Sequence, residues 1–129
     1  MVLIKDSKKL KDLCKLIAKD KFITVDTEFI RDRYYYPKLC LMQIASQEYC
    51  FAIDTLEKDI DISPILKIFN NKKIVKVFHA CRQDIEIILN LNGKMPRPIF
   101  DTQVAAMVCG FGATSSYCLL YTSDAADES

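Results

Sequence analysis

Val25-Asp26-Thr27-Glu28-Phe29 places two carboxylates, one residue apart, in a stretch that otherwise reads as a buried β-strand. Phe22 to Val25 leads in, apolar and β-branched, with no turn signal inside it. Alternate side chains on a strand share a face, so Asp26 and Glu28 point the same way. Like charges about 4 Å apart at an effective dielectric near 20 cost roughly 4 kcal/mol. Such a pair on a core strand calls for a neutralising partner, and the usual one is a divalent metal. A third acid, Asp84, falls in the first turn of a helix that follows the strand 74–78. In open α/β sheets ligands collect at the carboxyl ends of strands, where all three acids are expected to converge. Oxygen-only ligands favour Mg²⁺ or Mn²⁺ over zinc, and the set suits two-metal hydrolysis of a phosphodiester. Glu86 points elsewhere on the same helix and reads as solvated.

The elements that must position these acids follow from the pattern. Asp6-Ser7 can cap a helix with Leu10, Leu13, Cys14 and Ile17 on one face and lysines opposite. The acid-bearing strand comes next, then a basic and aromatic connection, Arg31-Asp32-Arg33-Tyr34-Tyr35-Tyr36-Pro37. Leu39 to Ala45 is a nearly continuous apolar run, expected as a strand buried on both faces. Ser46-Gln47-Glu48 turns the chain, and Tyr49 to Ile53 returns, completing an antiparallel meander.

Ser63-Pro64 then starts a helix, with Ser63 as cap and Ile65 to Phe69 as its body. Ile74 to Phe78 is a short strand, expected beside the acid-bearing one, and Gln83 to Leu91 is a helix ended by Asn92-Gly93. Pro98-Ile99-Phe100 is a brief strand, and Asp101-Thr102 caps a helix through Val108. Strand–helix alternation implies parallel pairing with right-handed crossovers. The expected fold class is α/β: a mixed sheet, antiparallel on one side and parallel on the other, flanked by helices.

Bulk properties narrow the class. At 129 residues the chain fits one domain with a real core, and half of it is hydrophobic, which excludes extended disorder. The net charge of +1 gives no global support to nucleic-acid binding, so such binding must rest on a local patch. Lys5 and Asp6 interrupt the N-terminal apolar run too early for a signal sequence, and no run is long enough to span a bilayer. The six cysteines form no C-x-x-C pair and sit mostly among apolar neighbours, as core residues of a reducing cytoplasm do.

Four segments together resemble ribonuclease D: 25–31 (Val-Asp-Thr-Glu-Phe-Ile-Arg), 35–39 (Tyr-Tyr-Pro-Lys-Leu), 78–86 (Phe-His-Ala-Cys-Arg-Gln-Asp-Ile-Glu) and 100–106 (Phe-Asp-Thr-Gln-Val-Ala-Ala). These are 3′–5′ exoribonucleases of the four-acid (DEDD) superfamily, with a ribonuclease H-like fold. The resemblance implies Asp26 and Glu28 as first-motif metal ligands and Asp84 as the second-motif acid. It further implies two Mg²⁺ (or Mn²⁺) ions and release of nucleoside 5′-monophosphates from single-stranded RNA 3′ ends, with tRNA precursors as substrates by family analogy. Phe29 is placed to pack against the terminal nucleotide, and Arg31, Arg33 and His79 are candidates for phosphate contacts. No obligate protein partner is evident.

Plainer roles compete for these residues. Phe29 can be core, His79 can bond backbone, and Arg31 and Arg33 can pair with Asp32 or nearby acids. Tyr34 to Tyr36 read as a packed turn rather than a stacking platform, and Asp101 reads as an N-cap rather than a fourth acid. Two other functions use the same residues: a DNA-directed proofreading-type exonuclease, and a catalytically dead nucleic-acid-binding domain.

The superfamily's fourth acid lies in a third motif, Y-x-x-x-D in the ribonuclease D branch, and the position four after Tyr121 is Ala125. Residues 1–117 are therefore expected to be a partial exonuclease domain and 118–129 a non-native tail. The run Cys118 to Glu128 resembles a translated sequencing adapter, since its start back-translates to the end sequence that tagmentation transposases attach. Lacking the third motif and its helices, the polypeptide is expected to be inactive or nearly so, and poorly soluble.

Overall fold

A computed structural model of the chain describes residues 1–31 and 37–110. The elements run β1 (Val2–Ile4), α1 (Ser7–Ile17), β2 (Phe22–Ile30), β3 (Lys38–Ala45), β4 (Cys50–Asp54), α2 (Ser63–Phe69), β5 (Val75–Phe78), α3 (Arg82–Asn92), β6 (Ile99–Asp101) and α4 (Thr102–Val108). The six strands form one sheet in the order β1-β4-β3-β2-β5-β6. β2, β3 and β4 are the antiparallel meander, while β2–β5 and β5–β6 pair parallel. The mixed α/β sheet expected from the sequence is what forms.

β1, a three-residue strand parallel to β4, was not foreseen. Three residues are too few to show a period of two.

One face of the sheet carries the core. Ile23 and Val25 of β2, Met42 and Ile44 of β3, and Phe78 of β5 are buried together with Leu10, Cys14 and Ile17 of α1, Ile65, Ile68 and Phe69 of α2, and Ile87 and Ile88 of α3. The opposite positions, among them Thr24, Asp26, Glu28, Leu41, Gln43, Ala45, Val75 and Val77, are half-buried or exposed. β3 is thus covered on one face, not both. Its apolar composition belongs to a central strand whose second face lacks a covering layer among the described residues. Asp26 and Glu28 are likewise exposed rather than buried.

Local chemistry fixes the helix ends. Asp6 caps α1 by accepting the Lys8 N–H at 3.1 Å. At α2 the expected cap shifts: Ser63 is the first helical residue, and the Asp61 carboxylate accepts its N–H at 3.0 Å. Gly93, at φ 76°, closes α3 in the left-handed conformation that glycine adopts without penalty. Of the described cysteines, only Cys14 is fully buried; Cys50 and Cys109 are exposed, so the expectation of core thiols holds for part of the set.

Lys76 breaks the apolar pattern of β5 and is fully buried. Its ammonium donates to the Asn71 carbonyl at 2.6 Å and the Arg97 carbonyl at 2.9 Å, tying the α2–β5 turn to the approach to β6. Burial pushes its pKa down to about 8. Between that value and the unfolded lysine value near 10.4, the unfolded chain holds a proton the folded chain has shed. Stability from this site therefore rises with pH across that window. Denaturant melts at stepped pH are expected to show wild-type stability climbing relative to Lys76→Met from pH 8 to pH 10; a constant difference would refute it.

Candidate active site

β2 outruns its parallel neighbour. Its pairing with β5 covers only Phe22 to Thr24, where Thr24 faces Val77, while pairing with β3 continues to Ile30. Asp26 and Glu28 therefore stand on the projecting part of the strand. β5 ends at Phe78, and the chain passes through His79, Ala80 and Cys81 into α3, which carries Asp84 in its first turn. A register shift between Glu28 and Phe29 leaves Cys40 of β3 as the extra, bulged residue just past the second acid.

Strand alternation splits the motif between the two faces. Asp26 and Glu28 face outward, and Thr27 between them is buried. The Thr27 hydroxyl donates to the Asp84 carboxylate, joining strand to helix. Asp84 is only 7% exposed. Burial raises its pKa to about 6; the Thr27 bond opposes the rise, and the charge of Asp26 adds to it. Asp26 accepts the Thr27 backbone N–H at 3.0 Å.

The structure thus brings Asp84 into the field of Asp26. It does not gather the expected trio: among the described residues no group of three or more His, Cys, Asp or Glu side chains is close enough to hold a metal ion.

The remaining candidates separate. Phe29 is partly buried against the core cluster, on the face opposite Asp26 and Glu28. The Arg31 guanidinium lies 6.0 Å from the Phe29 ring centroid and pairs with Glu86 at 3.1 Å, both partners well exposed. Glu86 is therefore an ion-pair partner rather than only solvated. Such an exposed pair contributes little stability. Arg33 and Tyr34 to Tyr36 lie outside the described residues. His79 and Asp26 both line a groove of ≈ 400 Å³ on the open sheet face, with Thr24, Gln43 and Val77. The His79 Nδ1 lies 2.8 Å from the Thr102 hydroxyl.

Asp101 was expected only as a cap. It caps α4 through the Gln103 and Val104 N–H groups, and it also accepts from Ala80 N at 3.0 Å and Cys81 N at 2.8 Å. Burial works against the Asp101 anion, but these donors outweigh it and hold its pKa below the usual range. Burial, with Asp101 beside it, pushes the Cys81 thiol up to about 11. This second role depends on the parallel register that sets Phe78 opposite Asp101, which no local sequence pattern announces.

Comparison with known proteins gives this geometry a class. A family model described as 3′–5′ exonuclease matches residues 1–122, and the chain belongs to that family. Within it the similarity is to ribonuclease D. The chain is 48% identical over 117 residues to ribonuclease D of Bartonella henselae, covering 91% of this chain and 29% of that protein. To the Zymomonas mobilis enzyme it is 50% identical over 116 residues, 89% of this chain and 30% of that protein. The chain therefore spans under a third of the length of these relatives. Among solved structures, RNase D of Escherichia coli, an exoribonuclease involved in structured RNA processing, superposes with a TM-score of 0.85 at 36% identity, over 92% of this chain and 31% of that one. Trypanosoma brucei RNase D bound to RNA gives a TM-score of 0.69 at 25% identity, over 79% and 37%.

The Asp84 shift has a measurable sign. Its folded pKa lies above the unfolded value, so its ionisation destabilises the fold as pH rises from about 4 through about 6. Asp84→Asn keeps an acceptor for Thr27 and removes the charge. It is expected to stabilise the chain at pH 7 by on the order of 1 kcal/mol, since one pKa unit is worth about 1.4 kcal/mol, and to have no such effect at pH 4. Equal effects at both pH values in urea melts would exclude it.

Proposed function

We propose that this chain supplies the metal-binding and substrate-facing strand–helix unit of a ribonuclease D-type 3′–5′ exoribonuclease. The observation that carries the reading is Asp84, buried against Thr27 within the field of Asp26, at the end where β2 projects past β5. Uncompensated, this arrangement costs stability, and a cation would relieve it.

The donor set fits a hard divalent ion, Mg²⁺ or Mn²⁺, because Asp26, Glu28 and Asp84 offer only oxygen. The lack of a closed three-ligand cluster is compatible with Mg²⁺, which commonly keeps several waters and takes one or two carboxylates plus substrate phosphates. Two ions are expected in the complete enzyme. Bound divalent ions would supply an activated water and stabilise the departing 3′-oxygen. The chain's own residues then do the positioning. The groove beside Asp26 admits the RNA 3′ end along the open sheet face, His79 meets it there, and Arg31, just past the projecting end of β2, is a phosphate contact, as is Arg33. Phe29, turned to the core, supports the strand from beneath and does not stack on the nucleotide.

Single-stranded RNA 3′ ends, tRNA precursors among them, are the proposed substrates. The described cysteines are free thiols, which favours a reducing cytoplasm. The 129 residues alone are proposed to bind a cation yet to be nearly inactive, because Asp26, Glu28 and Asp84 do not gather into the closed site that two-ion hydrolysis needs.

Calorimetric titration with Mn²⁺ is expected to show binding by the 129-residue chain at pH 7.5. Asp26→Asn should weaken it at least about tenfold, within the range for losing a charged ligand partner, and acidification through pH 6 should weaken it as Asp84 takes up a proton. No heat above dilution in the wild type would overturn the reading. Incubated with RNA or with single-stranded DNA, the chain should release essentially no mononucleotide. Metal-dependent release abolished by Asp26→Ala would show that the unit is active alone, and the faster substrate would name its polymer.

A further inference from the structure

Asp101 and Thr102 open α4, yet most of their bonds reach back to a different connection, the one between β5 and α3. Asp101 Oδ1 accepts from Ala80 N at 3.0 Å and from Gln103 N at 2.8 Å, and its Oδ2 accepts from Cys81 N at 2.8 Å. Capping α4 needs only the Gln103 and Val104 contacts. The other two bonds hold Ala80 at φ 56°, a left-handed conformation that alanine seldom adopts. Cys81 is in turn the residue from which α3 starts, and its carbonyl accepts the Ile85 N–H at 2.8 Å. One carboxylate therefore fixes the path of the chain from the end of β5 to the turn that carries Asp84.

Thr102 fixes the other product of that path. Its hydroxyl has one proton, which it donates to the Phe78 carbonyl at 3.2 Å. With that proton on Phe78, the same oxygen, 2.8 Å from His79 Nδ1, is left to accept, an arrangement that favours the Nδ1–H imidazole. Tautomer and ring orientation are set together by a residue 23 positions away in sequence.

We propose that Asp101 and Thr102 are positioning residues of the active site: Asp101 clamps the 79–81 connection and with it the first turn of α3 bearing Asp84, and Thr102 holds His79 as the Nδ1–H tautomer on the groove. The proposal rests on the functional reading above for what Asp84 and His79 do, and on the bonds alone for how they are held. A plain capping role predicts no effect on the imidazole and none on cation binding.

His79 is the only histidine in the chain, so its ring nitrogens can be followed by ¹⁵N NMR without assignment ambiguity. In the wild type at pH 8 the Nδ1–H tautomer should dominate. Thr102→Val should shift the population towards Nε2–H, and Thr102→Ser, which restores the hydroxyl, should return it. Asp101→Asn places an N–H₂ against the Cys81 N–H. Amide exchange at Ala80 and Cys81 should then speed up about tenfold, the worth of one hydrogen bond, with exchange in β2 unchanged. Mn²⁺ affinity should drop about tenfold, the range seen when a group supporting a ligand is lost. An Nε2–H tautomer in the wild type, or a tautomer untouched by Thr102→Val in a folded protein, overturns the Thr102 assignment. Unchanged exchange at Ala80 and Cys81 overturns that of Asp101. If the wild type binds no Mn²⁺, the functional reading fails, and the imidazole and exchange results still decide the clamp.

Discussion

The Thr27–Asp84 hydrogen bond is the joint on which this molecule's site depends. Thr27 is the only inward-facing residue between two outward-facing acids, and it sits where β2 has already passed the end of β5. A β-branched apolar residue there would pack equally well on the core side but would take away the hydroxyl that donates to the buried Asp84 carboxylate, at a cost of about 1–3 kcal/mol. With threonine, the strand face that looks away from the groove anchors the first turn of α3. The two faces of β2 are thereby coupled: shifting its register by one residue would expose Thr27 and bury both acids. Pairing with β3, continuous from Thr24 to Glu28 before the bulge, is what prevents that slip.

Much of this was legible in the chain. The meander, the parallel strand carrying the second motif, the caps at Asp6 and Asp101 and the glycine that ends α3 are all local or periodic features, and each forms as the residue types dictate. What was not legible depends on partners. Whether β3 is covered on one face or two is decided by elements elsewhere in the chain, not by its own composition. Lys76 sits in an apolar strand because two carbonyls, at Asn71 and Arg97, happen to meet its ammonium, and no pattern within β5 announces them. The second role of Asp101 likewise needs β5 and β6 to lie in register before its carboxylate can reach Ala80 and Cys81.

The relation to longer relatives fits the one-sided cover of the sheet. The chain corresponds to 29% of the Bartonella henselae protein and matches it at 48% identity. Residues such as Leu41 and Ala45 are apolar yet only half-buried, on the face that also holds Asp26 and Glu28. Natural surfaces tolerate single exposed apolar side chains, but a whole central strand with aliphatic residues on both faces is the composition of a covered sheet. The acids and the half-buried apolar positions therefore share one face.

That geometry revises the electrostatic case for a metal. Two acids on a buried strand would demand a counter-ion simply to fold. Asp26 and Glu28 are exposed, and in water like charges about 4 Å apart repel by only about 1 kcal/mol. Nothing about the stability of β2 requires a cation. The requirement falls instead on Asp84, whose carboxylate is buried and whose pKa rises to about 6 from that burial and from Asp26 nearby. Near neutral pH it ionises inside the fold, at a cost that a cation close by would offset. The electrostatic cost is thus concentrated on one helix-borne carboxylate rather than spread across the strand pair. In the proposed reading, the outward acids would set where a cation sits, and the buried one would set how strongly it is held.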